Sequence, residues 1–225
     1  MRKHEFVPSG HRAVQYAADQ VAAANPDVVV LPLSAYTFGV GFVALRVRER
    51  WGERAWRWYL RIGGRVDAGL AGQSGLRLKA REAAQGIARK LIGTASHAPA
   101  AEVTAVYAEV IRQLARGEGA QVLVVAESRF GRRIQELNPG LVPAIEAFQS
   151  ELRPLAQEHR LPWVDAELAV AAGGDRERAM APDGVHHSAY GHRLYAAMVL
   201  DALVAALAPA AAAGREPLTA RPLST

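Results

Sequence analysis

The sequence predicts an α/β protein built on a parallel sheet with helices on both of its faces. Three observations carry this expectation. Two runs, "DVVVLPL" (Asp27 to Leu33) and "AQVLVVAE" (Ala120 to Glu127), are rich in β-branched residues and lack polar alternation, as strands covered on both faces do. A shorter apolar segment, "LPWVDA" (Leu161 to Ala166), reads as a third strand. Helical patterns separate the three, and strand alternating with helix is the signature of parallel pairing.

Taken in order, "HEFVP" at the amino end is a fourth, weaker strand candidate, followed by a helical pattern over Gly10 to Ala24. Further helical patterns cover Val47 to Ile62, Leu76 to Ile92, Ala101 to Arg116, Val142 to His159 and Ala189 to Leu207. The stretch from Phe38 to His97 interrupts the alternation as a helical insertion longer than an ordinary crossover. Its first helix has Val47, Trp51, Ala55, Trp58 and Ile62 on one face and Arg50, Arg54, Arg57, Arg61 and Arg65 along another. The expected arrangement buries the tryptophans on the core and solvates the arginines, with Glu53 and Arg57 paired at i, i+4. The competing one is a cap helix or a contact with an anionic membrane surface. The end of the chain, "APAAAAGREPLTARPLST", is rich in alanine and proline without periodicity. Residues 1–208 are therefore expected to form one domain and 209–225 a disordered tail.

With 225 residues, half of them hydrophobic, the chain can bury one sizeable core. Lys and Arg number 27 against 22 Asp and Glu, a net charge of +5, and lysine occurs only at Lys3, Lys79 and Lys90. An arginine-for-lysine skew beside abundant alanine reflects base composition as readily as a polyanionic partner, so no nucleic-acid partner is expected. The absence of cysteine removes disulfides, thiol nucleophiles and cysteine-ligated zinc. No apolar run approaches the roughly 18 residues of a spanning helix, and the amino end has no apolar leader core, so a cytoplasmic protein without stable membrane insertion is expected. No phosphate-cradling loop, dinucleotide fingerprint or zinc-ligand pattern occurs, and no cofactor is expected.

The stretch that carries chemistry is "DGVHHSAYGH", which follows the last strand and runs into the last helix. A loop can hold Asp183 beside the ring of His186, fixing one tautomer and stabilising the imidazolium that forms when the other nitrogen takes a proton. Ligands of parallel sheets bind beyond the carboxyl ends of the strands. That places Leu33 to Tyr36, Glu127 to Phe130 and the Asp183 loop near one another. Adjacent histidines rarely point the same way, so His186, His187 and His192 are not expected to hold a metal. His192 is expected to start the last helix, His97 and His159 to lie at the surface, and Asp165 to cap the segment that follows it.

These residues resemble the last block of the SGNH/GDSL hydrolases, which reads Asp-Gly-x-His-Pro-x-x-x-Gly-His before the final helix. His187 stands here where proline is common. "NPDVVVLPL" is similar to the strand before that family's third block, and the resemblance of layout extends over most of Asn25 to Leu207. It implies a three-layer αβα, flavodoxin-like sheet and a Ser-His-Asp triad in which Asp183 orients and His186 is the general base. The family's Gly-Asp-Ser nucleophile block has no counterpart in this chain. The Gly-x-Asn of its third block aligns with Ser34, Ala35 and Tyr36, where the tyrosine hydroxyl is the available donor, and the glycine of its second block aligns with Gly10. On this reading the first, central strand and the nucleophile lie upstream of Met1, and the chain by itself is inactive. Three hydroxyls inside the chain, Ser9, Ser34 and Ser128, stand at strand ends, but serine at such positions ordinarily serves as a turn or cap residue.

The resemblance implies a serine ester hydrolase or acyltransferase acting on a small acyl ester such as a lipid or an acetylated sugar. The alternative is a binding or interaction module that keeps the fold without the chemistry, which the replacement at Ser34 to Tyr36 favours. A third reading is binding of nucleic acid or anionic membrane by the arginine face from Arg50 to Arg65.

Overall fold

The computed structural model describes residues 11–70, 84, 86–117 and 120–212. The candidate strand "HEFVP", together with Ser9 and Gly10, lies outside the described residues, as do 71–83 and 213–225.

Among the described residues a parallel sheet of three strands forms in the order β1 (Val28–Leu33), β2 (Gln121–Ala126), β3 (Trp163–Asp165). β1 pairs with β2 from Val28 opposite Gln121 to Leu33 opposite Ala126, and β2 with β3 from Val124 opposite Trp163 to Ala126 opposite Asp165. Helix α1 (His11–Ala24) precedes β1. The first crossover holds α2 (Tyr36–Gly39), α3 (Val43–Leu70) and α4 (Ala100–Arg116), and residues 86–92 within it are also helical. The second crossover holds α5 (Arg132–Leu137) and α6 (Leu141–Glu158). Beyond β3 come α7 (Ala166–Ala172), α8 (Arg176–Ala179) and α9 (Ala189–Ala212). Asp165 caps α7 as expected, its carboxylate accepting from the Glu167 amide at 3.0 Å. Helix α9 runs past Leu207 into the segment expected to be tail.

Alternate residues of β2 face opposite sides, and each side has its own cover. Val124, with Leu31 and Leu33 of β1, joins a core made with Val103, Val110 and Ile111 of α4 and Phe148 and Leu152 of α6. Leu123 and Val125 pack with Val164 beneath Tyr195, Met198, Val199 and Leu203 of α9. The expectation of cover on both faces therefore holds for β2 but not for β1, where Val30 is 40% exposed and Pro32 is exposed as well. The helix on that side, α9, sits over β2 and β3 and leaves the same face of β1 open. Among the described residues β1 is an edge strand, which Pro32, with no N–H to donate, suits.

The insertion differs from its expected packing. Val43 and Val47 are buried, but Trp51 is 52% and Trp58 63% exposed, and Ile62 is exposed too. After Trp51 the helix is interrupted at Gly52, whose φ of +80° breaks α3 into two. Between Gly52 and Ile62 the less exposed positions are Glu53, Ala55, Trp56 and Tyr59, so the stripe drawn through Val47, Trp51 and Trp58 is not one face. Arginine planes cover part of the exposed indole surface, Arg48 over Trp56 at 5.2 Å and Arg50 over Trp51 at 5.3 Å. The Glu53–Arg57 pair forms, at 3.7 Å. The insertion closes on itself through an antiparallel bridge between Phe42 and Ala95, and Arg89 donates to the carbonyls of Gly41 and Leu137.

No spanning-length apolar run was expected, yet Ala189–Ala208 averages a mean hydropathy of 1.3 and is long and apolar enough to cross a membrane. One of its faces covers the sheet, while Leu200 and Val204 on it are exposed. The apolar character of α9 is thus accounted for on the sheet side by packing on Leu123, Val125 and Val164.

Phe148 is fully buried, with its ring 5.5 Å from that of Tyr107 in an edge-on contact and 5.0 Å from that of Phe38. Phe148→Ala should lower the unfolding free energy by about 3–5 kcal/mol in urea denaturation. A loss under about 1 kcal/mol would mean that α4 and α6 do not share this core.

Candidate active site

Because Leu33 ends β1 opposite Ala126 of β2, the chain leaves the sheet at Ser34 and Glu127 side by side. The Ser34 hydroxyl and the Ala35 amide both donate to the Glu127 carboxylate. The Ser34 amide donates to the Tyr107 hydroxyl at 3.1 Å. Glu127 keeps some exposure as a residue, but its carboxyl is enclosed enough that burial pushes its pKa up to about 7, against the opposing pull of those two hydrogen bonds.

The loop from Met180 to Ser188 closes over these strand ends. It is tied at Gly184, whose carbonyl accepts from the Gly131 amide at 2.8 Å, and at both of its shoulders by Ala181 N to His186 O at 2.7 Å and Ser188 N to Ala179 O at 2.9 Å. Gly184 has φ +70°, and a methyl group on Gly131 would come within 3.0 Å of the Gly184 backbone, so this approach requires glycine on both sides. Behind it, Glu167 of α7 accepts from the Arg129 amide at 2.9 Å and from the Arg176 guanidinium, which also donates to the Arg129 carbonyl. Burial would raise the Glu167 pKa, but the hydrogen bond and charge of Arg176 outweigh it and lower the pKa.

Within this loop the expected pair forms. Nδ1 of His186 lies 2.6 Å from Oδ2 of Asp183, while Oδ1 accepts from the amides of Val185 at 2.9 Å and His186 at 3.0 Å. Desolvation works to raise the Asp183 pKa, but the hydrogen bonds from the His186 ring and the two amides prevail and hold it at about 2. The carboxylate is therefore ionised throughout the neutral range, and the ring it holds has Nε2 as its remaining proton acceptor. Burial and, second, the Asp183 charge raise the pKa of Tyr36, so this residue senses the same site. Its ring packs edge-on against Phe42 at 5.6 Å, and exposed His97 lies beyond, consistent with its expected surface position.

The next residue points inward. Nε2 of His187 lies 3.1 Å from Oγ of Ser128, which is only 5% exposed at the end of β2. Burial first, then the charges of His192 and His186, lower the His187 pKa. Ser128 is thus not the turn or cap serine that its position suggested. Glu127, Ser128, Phe130, Met180, Val185, His186, His187 and His192 line one pocket of about 160 Å³. A larger cavity, of about 280 Å³, lies at the amino ends of the strands between α1 and α4, and among the described residues no titratable side chain lines it.

Asp183, His186, Ser34 and Tyr36 therefore gather at the carboxyl end of the sheet, as expected, whereas Gly10 and Ser9 fall outside the described residues. Ser34 is engaged with Glu127, and no serine hydroxyl among the described residues hydrogen-bonds the His186 ring. Among the described residues no group of three histidine or acidic side chains is placed to hold a metal ion. The sequence reading missed Glu127 as a buried acid and His187 as a partner of Ser128. The available signal was a Glu-Ser pair directly following an unbroken apolar strand, opposite a histidine where the resembled pattern has proline. Family models, curated proteins and solved structures contain no match to this chain.

The Glu127 carboxyl fixes the sign of a pH effect. Its folded-state pKa is raised, so the stability it contributes is fully present below about 4.5 and is lost as pH rises through about 7, a loss on the order of 3 kcal/mol. Urea midpoints at pH 5 and pH 8 should fall with pH for the parent chain relative to Glu127→Gln. Parallel behaviour of the two proteins would place the carboxyl in water.

Proposed function

We propose that this chain carries the acid–base half of serine ester hydrolase or acyltransferase chemistry of the SGNH type, on a three-layer flavodoxin-like framework. The observation that supports it most is the His186–Asp183 contact of 2.6 Å at the carboxyl ends of parallel strands, with the carboxylate fixed by two backbone amides. The order of strands and helices up to α9 and the sheet covered on both faces at β2 support the framework.

In this reading Nε2 of His186 takes the proton from the attacking oxygen, and the ionised Asp183 stabilises the imidazolium that results. The same imidazolium then protonates the departing alkoxide. The ring's side chain is 77% exposed, so an ester of modest size reaches it directly. A small acyl ester is the proposed substrate class. The opposing reading, a module that binds without catalysis, is favoured by the same exposure and by Ser34 and Tyr36 standing where an oxyanion-binding block would be.

Hydrolysis of p-nitrophenyl acetate, whose leaving group is good enough for a positioned base and water to suffice, separates them. His186→Ala should lower the rate about 100-fold or more. Equal rates in both proteins, at the buffer background, would leave only the binding module.

A further inference from the structure

We propose that Ser128 is an acyl-accepting nucleophile whose base is His187, placed so that His186 serves the second half of the same reaction. The inference rests on the ester reading above, because it names the nucleophile of that site. Three independent features carry it. The Ser128 hydroxyl is enclosed, and its contact is an imidazole nitrogen, Nε2 of His187 at 3.1 Å, rather than the nearby carbonyl that a turn or cap serine takes. A serine oxygen within hydrogen-bonding reach of an imidazole is the arrangement that makes an otherwise weak nucleophile reactive. The pair also opens onto the pocket of about 160 Å³ that His186 lines, close to the roughly 150 Å³ that holds a benzene-sized molecule in a protein interior. This is room for a short acyl group. Finally, burial first and then the charges of His192 and His186 lower the His187 pKa and favour its neutral, proton-accepting form, with the ring held between those of His192 at 5.8 Å and Tyr195 at 5.6 Å.

The two histidines divide the work. In acylation, Oγ of Ser128 forms a bond to the ester carbonyl carbon as its proton passes to Nε2 of His187. The carbonyl electron pair moves to oxygen and returns as the bond to the alcohol breaks, and the leaving alkoxide takes the proton from His187. In deacylation, a water gives its proton to Nε2 of His186, steadied by Asp183, and its oxygen attacks the acyl carbon. The carbonyl re-forms as the bond from the acyl carbon to Oγ breaks, Oγ of Ser128 takes the proton from His186, and the acid leaves. Every proton accepted is returned, and nothing beyond the ester and one water is consumed.

The test is fluorophosphonate labelling of the full chain with intact-mass and peptide-mass analysis, alongside p-nitrophenyl acetate kinetics. One phosphonyl group is expected on Ser128. Labelling should vanish in Ser128→Ala and slow about 100-fold in His187→Gln. Ser128→Cys should trap the acetyl group as a thioester at position 128, which guards against a folding defect in the alanine variant, and far-ultraviolet circular dichroism checks each protein. In His186→Ala the label should still reach Ser128, and the kinetics should show a burst of one equivalent followed by stalled turnover. Label at another residue, or none, with hydrolysis still dependent on His186, would overturn the assignment of Ser128 and leave the ester reading standing. Hydrolysis unaffected by His186→Ala would overturn the ester reading, whatever Ser128 does.

Discussion

The pairing of β1 with β2 is the constraint on which the site depends. Six consecutive residues are matched in parallel, ending with Leu33 opposite Ala126. A parallel ladder brings both chains out at the same edge, so Ser34 and Glu127 emerge together and can hydrogen-bond before any loop is considered. A slip of one residue would turn Leu31 and Leu33 away from the core they share with α4 and α6. The register is therefore held by burial, and the chemistry inherits its geometry from that burial.

On top of this edge sits a loop whose own backbone does most of the positioning. Gly184 adopts a conformation that side chains other than glycine resist, and it sits against Gly131 closely enough to exclude a methyl group. The carbonyl and amide between them form a direct bond of 2.8 Å, and Asp183 occupies the preceding position with two amides on its carboxylate. The two adjacent histidines then go opposite ways. His186 lies outward against a carboxylate, and His187 lies inward against a hydroxyl, without a carboxylate partner among the described residues. One ring is oriented by a carboxylate, and the other is enclosed, with burial lowering its pKa.

Much of this was legible in the sequence, and the limits have physical causes. Unbroken β-branched runs revealed the strands because burial leaves no polar alternation to confuse them, and the Asp-Gly-x-His spacing revealed the pair because it is local. The Ser128–His187 contact was not legible, since it joins residues 59 positions apart and depends on which way a ring turns in a loop. Trp58 was misassigned because a helical wheel assumes an uninterrupted helix and Gly52 interrupts this one, whereas Trp51, before the kink, is exposed although Val47 one turn earlier is buried. The open face of β1 was hidden for a different reason. Composition records that Val30 is apolar, but whether α9 extends far enough to cover it is a property of the assembled layers.

The central claim is that Asp183 holds the His186 ring in one tautomer with Nε2 left to take a proton. Two-bond nitrogen–proton correlation spectra of the uniformly ¹⁵N-labelled chain, recorded where the histidine rings are neutral, report this directly. The account predicts the Nδ1–H form for His186, with loss of that bias in Asp183→Asn. An Nε2–H form, or a spectrum indifferent to the substitution, would contradict it.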